Sequence, residues 1–145
     1  MWKRYSFWLW IAIVFQLLTG AAHCLSFVAT QQPTNETERQ LLDLMANYQL
    51  DMGAGIHRST WHLFTALSAC FPMLYFFGAI NNIFVLKKRV DAGLVKGLLA
   101  IQLIVFGVAF GVMVVFAFLP PIVLTALVFV FLAAAFFMTP KADEG

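Results

Sequence analysis

Three long stretches of this sequence contain no Asp, Glu, Lys or Arg: Tyr5 to Asn35, Ser59 to Leu86, and Gly97 to Pro140. Charged residues make up 11% of the 145 and hydrophobic ones 62%, where a soluble domain carries roughly a quarter charged and about half apolar. With a mean hydropathy of +0.87, a water-soluble fold is excluded and the bilayer becomes the solvent. Cysteine is also scarce. Cys24 and Cys70 stand in different apolar stretches with no CxxC pair, which excludes a thiol redox motif and a cysteine zinc site. Helix counting sets them at different depths, so no disulfide is expected. The few basic residues flank apolar runs instead of forming a stripe, which excludes nucleic acid as a partner despite the net charge of +2.

A spanning helix needs about 20 predominantly apolar residues. The first two uncharged stretches each hold one. The third is longer and is broken at Leu119, Pro120 and Pro121, where consecutive prolines cannot continue a helix without losing hydrogen bonds. Spans are therefore predicted at 6–29, 60–86, 97–118 and 121–138. The expected fold is an all-α membrane protein: one integral membrane domain over 1–145, an antiparallel bundle of four transmembrane helices, with the lipid bilayer as its first partner.

Of the nine Lys and Arg, all but Arg39 and Arg58 fall in segments that this topology puts on one face: Lys3 and Arg4, then Lys87, Lys88, Arg89 and Lys96, then Lys141. The positive-inside rule makes that face cytoplasmic. Both termini are expected inside the inner (cytoplasmic) membrane of a cell. Trp2, Tyr5, Trp8 and Trp10 at the inner end of the first span and Trp61 at the outer end of the second suit interfacial anchoring. Lys3 and Arg4 before an apolar run ending in Gly20, Ala21 and Ala22 resemble a secretory signal. The run continues through Leu25, Phe27 and Val28, however, which suits a full span better, and His23 before Cys24 spoils a lipoprotein cleavage box.

The outer loop, 30–59, has a pattern of its own. Asn35 can cap a helix with Glu38 three residues on, and Leu41, Met45, Tyr48 and Met52 recur at helical spacing, broadened by Leu42 and Leu44. An amphipathic helix on the outer rim is predicted, covering the bundle end or meeting lipid or a partner. Gly53 and Gly55 release the chain into a turn, and Ser59 or Thr60 caps the second span. Asn35-Glu36-Thr37 also matches a glycosylation sequon, of consequence only in a eukaryotic source.

Polar groups inside hydrocarbon are the best pointers to function, because an unpaired one is costly there. Gln16 falls near the middle of the first span. Asn81, Asn82 and Gln102 stand five to six residues above Lys87 and Lys96 and are expected to share a layer, the intramembrane polar set being these three with Gln16. Such amides act as glue between helices or line a polar cavity, and glue is the commoner use. Pro72 frees the carbonyl of Ser68 and marks a kink in the second span. Gly107 and Gly111 form GxxxG, a close-approach motif for a helix of the bundle or of another copy. Thr125 is the one polar residue of the fourth span, which is expected to face lipid or a partner.

At the outer rim, His23 near the end of the first span and His62 at the start of the second are expected at similar depth, with His57, Arg58 and Asp51 above. Two histidines on neighbouring helices suit haem, and Arg58 with a histidine suits an anionic headgroup. The spacing of His57 and His62 misses the i, i+4 face of helical zinc motifs, and no metal is expected. No cofactor is written strongly into the chain.

The stretch from Leu44-Met45 to Lys87-Lys88, with Met52-Gly53, His57-Arg58-Ser59, Trp61 and Phe77-Gly78-Ala79, resembles small bacterial inner-membrane proteins of four helices that have no agreed activity. The resemblance implies architecture and bacterial origin without supplying a site. It adds interest to Gly53, Arg58, Ser59 and Trp61.

Three functions are weighed. A non-enzymatic accessory or interaction subunit, bound to a membrane protein partner or to copies of itself, follows from the absence of catalytic motifs. A binder of haem, quinone or lipid headgroup would use the rim at His23, His57, Arg58 and His62. A small oligomeric transporter ranks last, because no Asp, Glu, Lys or Arg falls mid-span.

Overall fold

The computed structural model describes residues 4–29, 32–88 and 90–140. Trp2, Lys3, Arg89 and Lys141, all used in the orientation argument, lie outside the described residues. The elements in order are α1 (Tyr5–Ser26), α2 (Glu36–Asn47), β1 (Gln49–Asp51), β2 (His57–Ser59), α3 (Thr60–Lys88), α4 (Ala92–Phe116) and α5 (Leu119–Met138). By length and composition α1, α3, α4 and α5 can each cross a membrane, so the protein is a helical membrane bundle.

Helix boundaries follow local chemistry. α1 stops at Ser26 instead of 29, where the Phe27 and Val28 amides turn back to Cys24 and Leu25. α4 starts at Ala92, a turn before the expected 97, because the Asp91 carboxylate accepts the Gly93 and Leu94 amides at 2.7 and 3.3 Å. Lys96 therefore sits inside α4, not in the connecting loop, and its ammonium lies 5.3 Å from the centre of the Phe136 ring. α5 accommodates Pro120 and Pro121 in its first turn, where a missing N–H costs nothing.

The bundle has a definite order. α1 packs along both α3 and α5, and α5 packs along α4. Its core draws Leu9, Ala12 and Ile13 from α1, Tyr75, Ala79 and Val85 from α3, Val95, Leu99 and Phe106 from α4, and Val128, Leu132 and Ala135 from α5. The last three correct the expectation of an outward-facing fourth span: with Thr125 they recur at helical spacing as a buried stripe. Trp8, expected as an interfacial anchor, stacks on Phe131, while Trp10 is exposed. Large apolar side chains such as Leu67, Phe77, Ile104 and Val115 point away from the core, as hydrocarbon-facing positions do.

Close approach is not where GxxxG put it. A Cβ on Gly107 would meet the Phe129 ring at 3.2 Å, but one on Gly111 would meet nothing within 4 Å, so the two do not act as a pair inside the bundle. The tight positions are Gly20, where a Cβ would come within 2.7 Å of the Phe76 ring, and Gly78, within 2.6 Å of the Gln16 amide.

Between α1 and α3 the expected amphipathic helix forms, but it is shorter. Asn35 caps it through the Glu38 amide at 2.9 Å, and Glu38 in turn accepts from the Thr34 amide and hydroxyl, both at 2.7 Å. It ends at Asn47, and Met52 belongs to a hairpin that the helical spacing masked. Gly53, Ala54 and Gly55 all have positive φ (84°, 51° and 75°), the Gly53 amide donates to Asp51, and Gln49 to Asp51 pairs antiparallel with His57 to Ser59. Two glycines reverse the chain where a continuous helix could not.

Glu36 and Glu38 are held below the ordinary carboxylate range, Glu36 first by Arg39 and then by Gln40, Glu38 by the Thr34 hydroxyl and then its amide. A carboxylate with a depressed folded pKa stabilises above its unfolded value and loses that contribution as pH falls through the folded one. The first turn of α2 is therefore expected to fray as pH drops below 4.5. Hydrogen-exchange protection should fall at residues 39–42 between about pH 6 and about pH 3 while that of α4 holds.

Candidate functional site

Three amides from three helices meet in the bundle centre. Gln16 of α1 donates to Gln102 Oε1 of α4 at 3.2 Å. Asn82 of α3 donates to Gln16 Oε1 at 3.1 Å and to Gln102 Oε1 at 3.0 Å, and Gln102 donates back to Asn82 Oδ1 at 2.7 Å. Each side chain both donates and accepts. Gln16 and Asn82 are fully or nearly fully buried. Three of the four expected amides thus meet, while Asn81, one residue round α3, makes no side-chain hydrogen bond among the described residues.

The meeting of Gln16 with Gln102 has a geometric cause. Because α4 starts a turn early, Gln102 lies ten residues in, roughly 15 Å from the helix start at 1.5 Å per residue, close to the eleven-residue depth of Gln16 in α1. Gly78, one turn before Asn82, leaves the space that the Gln16 amide occupies. The Phe106 ring, tilted against Tyr75 with centroids 5.2 Å apart, closes the other side. The Tyr75 hydroxyl meets Thr125 Oγ1 at 2.7 Å, tying α3 to α5. Gln16 to Gln102 and Tyr75 to Thr125 therefore link helices that do not pack side by side.

A second polar contact repairs α3 itself. Pro72 has no amide to give the carbonyl of Ser68, and His23 of α1 supplies the missing donor: its Nε2 lies 3.1 Å from Ser68 O and 3.1 Å from Ser68 Oγ. A carbonyl only accepts, so this bond takes the tautomer with its hydrogen on Nε2. Phe27 and Phe71 close around the ring with centroids at 5.3 and 5.6 Å. The histidine thus sits where the proline leaves a gap.

The rim residues are not gathered into one site. His23 reaches Ser68, six residues along α3 from His62, roughly 9 Å deeper, which corrects the expectation of similar depth. His62 instead serves the start of its own helix: its Nδ1 lies 2.9 Å from Ser59 Oγ, and that oxygen faces the His62 amide at 3.4 Å. This is a capping box with a histidine in the usual place of Glu or Gln, and it explains why Ser59 is buried. His57 and Arg58 are exposed on β2, with His57 opposite Asp51 and Arg58 Nη1 donating to the His57 carbonyl at 2.8 Å. No group of three potential metal ligands occurs among the described residues. Cys24 and Cys70 are free and exposed.

Gly20, Gly78 and the Ser68 contact carry more of the packing than their sequence signals suggested. Compared with family models, curated proteins and solved structures, the chain matches none.

Asn82 takes part in three of the four amide bonds and Gln16 in two. Asn82→Leu is expected to cost about 1–2 kcal/mol and Gln16→Leu about 1 kcal/mol, at the upper end of interhelical bonds in membranes, read by reversible unfolding in mixed micelles. For the second contact the test is a cycle. His23→Phe orphans the Ser68 carbonyl, and Pro72→Ala returns a backbone donor to it, so the pair should couple favourably by about 1 kcal/mol. Additive costs would contradict the repair.

Proposed function

We propose that this chain is an antiparallel four-helix protein of a bacterial inner membrane, with both termini cytoplasmic, acting as a non-enzymatic accessory or interaction subunit. The amide cluster carries this reading. The polar groups of Gln16, Asn82 and Gln102 are spent on one another, and those of His23 and Thr125 on Ser68 and Tyr75, a use suited to holding a shape.

Side-chain pairings support the antiparallel order. Numbers rise along α1 as they fall along α3 (Gln16 with Asn82, His23 with Ser68), and the same holds for α4 against α5 (Lys96 with Phe136, Phe110 with Phe129). Exposed Arg4, Lys87 and Lys88 then share one end, which supports the cytoplasmic placement.

α4 supports an interaction role. Ile101, Ile104, Val108, Val112 and Val115 are exposed on one of its faces at three- and four-residue steps, with Gly111 open beside them. β-Branched side chains and a glycine at that spacing suit a second membrane helix, because packing, not water, drives association in lipid. The partner is another membrane protein or a second copy.

Purification in mild detergent with cross-linking and mass spectrometry is expected to return a reproducible protein partner or an oligomer. A lone monomer carrying a stoichiometric cofactor would overturn the proposal. Gly111→Leu should abolish the association and leave unfolding unchanged, whereas Gly107→Leu should lower stability, because only the second position meets Phe129.

A further inference from the structure

The segment between α1 and α3 has an apolar shoulder that neither the bundle nor the proposed subunit role accounts for. On α2 the polar face is complete in itself: Arg39 and Gln40 bond Glu36, and Asn47 bonds Asp43. Leu42 and Met45 turn toward the bundle and are half-buried. Between these two sectors Leu41, Leu44 and Tyr48 remain 56%, 60% and 62% exposed. Three large apolar side chains standing in water on a helix of twelve residues would be a poor arrangement.

Their surroundings identify the cover. An open recess of about 300 Å³ lined by Leu44, Met45, Tyr48 and Thr60 joins this sector to the first turn of α3, where Trp61 and Phe64 begin the outward apolar surface of the span. The shoulder is thus continuous with the surface that faces hydrocarbon. Arg58 stands on the adjoining hairpin, exposed, bonded through Nη1 to the His57 carbonyl, and outside salt-bridge range of any carboxylate among the described residues. A cation beside an apolar shelf matches the phosphate level of a lipid monolayer lying over its acyl chains.

We propose that α2 and its hairpin dock in the plane of the outer lipid monolayer, with Leu41, Leu44 and Tyr48 in the acyl region and Arg58 at a headgroup phosphate. The occupant of the shoulder is lipid. This rests on the membrane-spanning reading of α3 and α4 and is independent of any protein partner.

The test places single nitroxide labels, in a Cys24→Ser, Cys70→Ala background, at Leu41→Cys, Leu44→Cys and Tyr48→Cys and at Gln40→Cys, Asp43→Cys and Asn47→Cys. Phe77→Cys, exposed on α3 and off the α4 association face, is the control. The full chain is reconstituted in phosphatidylethanolamine–phosphatidylglycerol vesicles, and collision with oxygen is compared with collision with a water-soluble nickel chelate. The expected result is an oxygen-to-nickel ratio severalfold higher at 41, 44 and 48 than at 40, 43 and 47, approaching that at 77. A high ratio at 77 with uniformly low ratios on α2 would overturn the shoulder alone. Protection from both reagents at 41, 44 and 48 would overturn it in favour of a protein cover, and a water-like ratio at 77 would remove the spanning reading with it.

Discussion

Hydrocarbon offers no hydrogen bonds, so each polar group drawn into the bundle must find its partner in protein. That constraint organises the molecule. The amides of Gln16, Asn82 and Gln102 satisfy one another only if α1, α3 and α4 hold one register and rotation, and Tyr75 with Thr125 adds α5. Apolar faces slide in lipid with little preference, because lipid tails are as apolar as leucine. The four bonds of the amide cluster supply the specificity that the surrounding Leu, Val and Ala contacts lack.

The Pro72 site obeys the same rule within one helix. A proline in α3 orphans the Ser68 carbonyl, and in water a solvent molecule would take its place. Here His23 does, and an aromatic series from His23 through Phe71 and Tyr75 to Phe106 connects the repaired turn to the edge of the amide cluster. The two polar features are therefore joined by a continuous series of side chains from α1, α3 and α4. Gly78 is its narrowest point, since any side chain there would displace the Gln16 amide.

Much of this was legible from residue order. Charge-free length located the four spans, Asn35 with Glu38 located α2, and the scarcity of amides made Gln16, Asn82 and Gln102 conspicuous. What was hidden depended on rotation and on contacts distant in sequence. Asn81 and Asn82 differ only by a turn of 100° about α3, and nothing local says which faces inward. The pairing of His23 with Ser68 joins an exception in one helix to a donor in another. Leu41, Met45, Tyr48 and Met52 kept helical spacing beyond the end of α2, although Tyr48 is its C-cap and Met52 opens the hairpin turn, and two glycines with positive φ decided the matter. α5 was misjudged since a span that is apolar all round carries no sign of which stripe is buried.

The central claim, that the three amides form one closed cluster in the membrane, is tested most directly by solid-state NMR on side-chain-labelled protein in lipid bilayers. Through-space cross-peaks between the Asn82 amide and those of both Gln16 and Gln102, with side-chain protons that resist exchange in heavy water, are the predicted result. Rapidly exchanging amides without mutual cross-peaks would contradict it, and would place water, not protein, at the centre of the bundle.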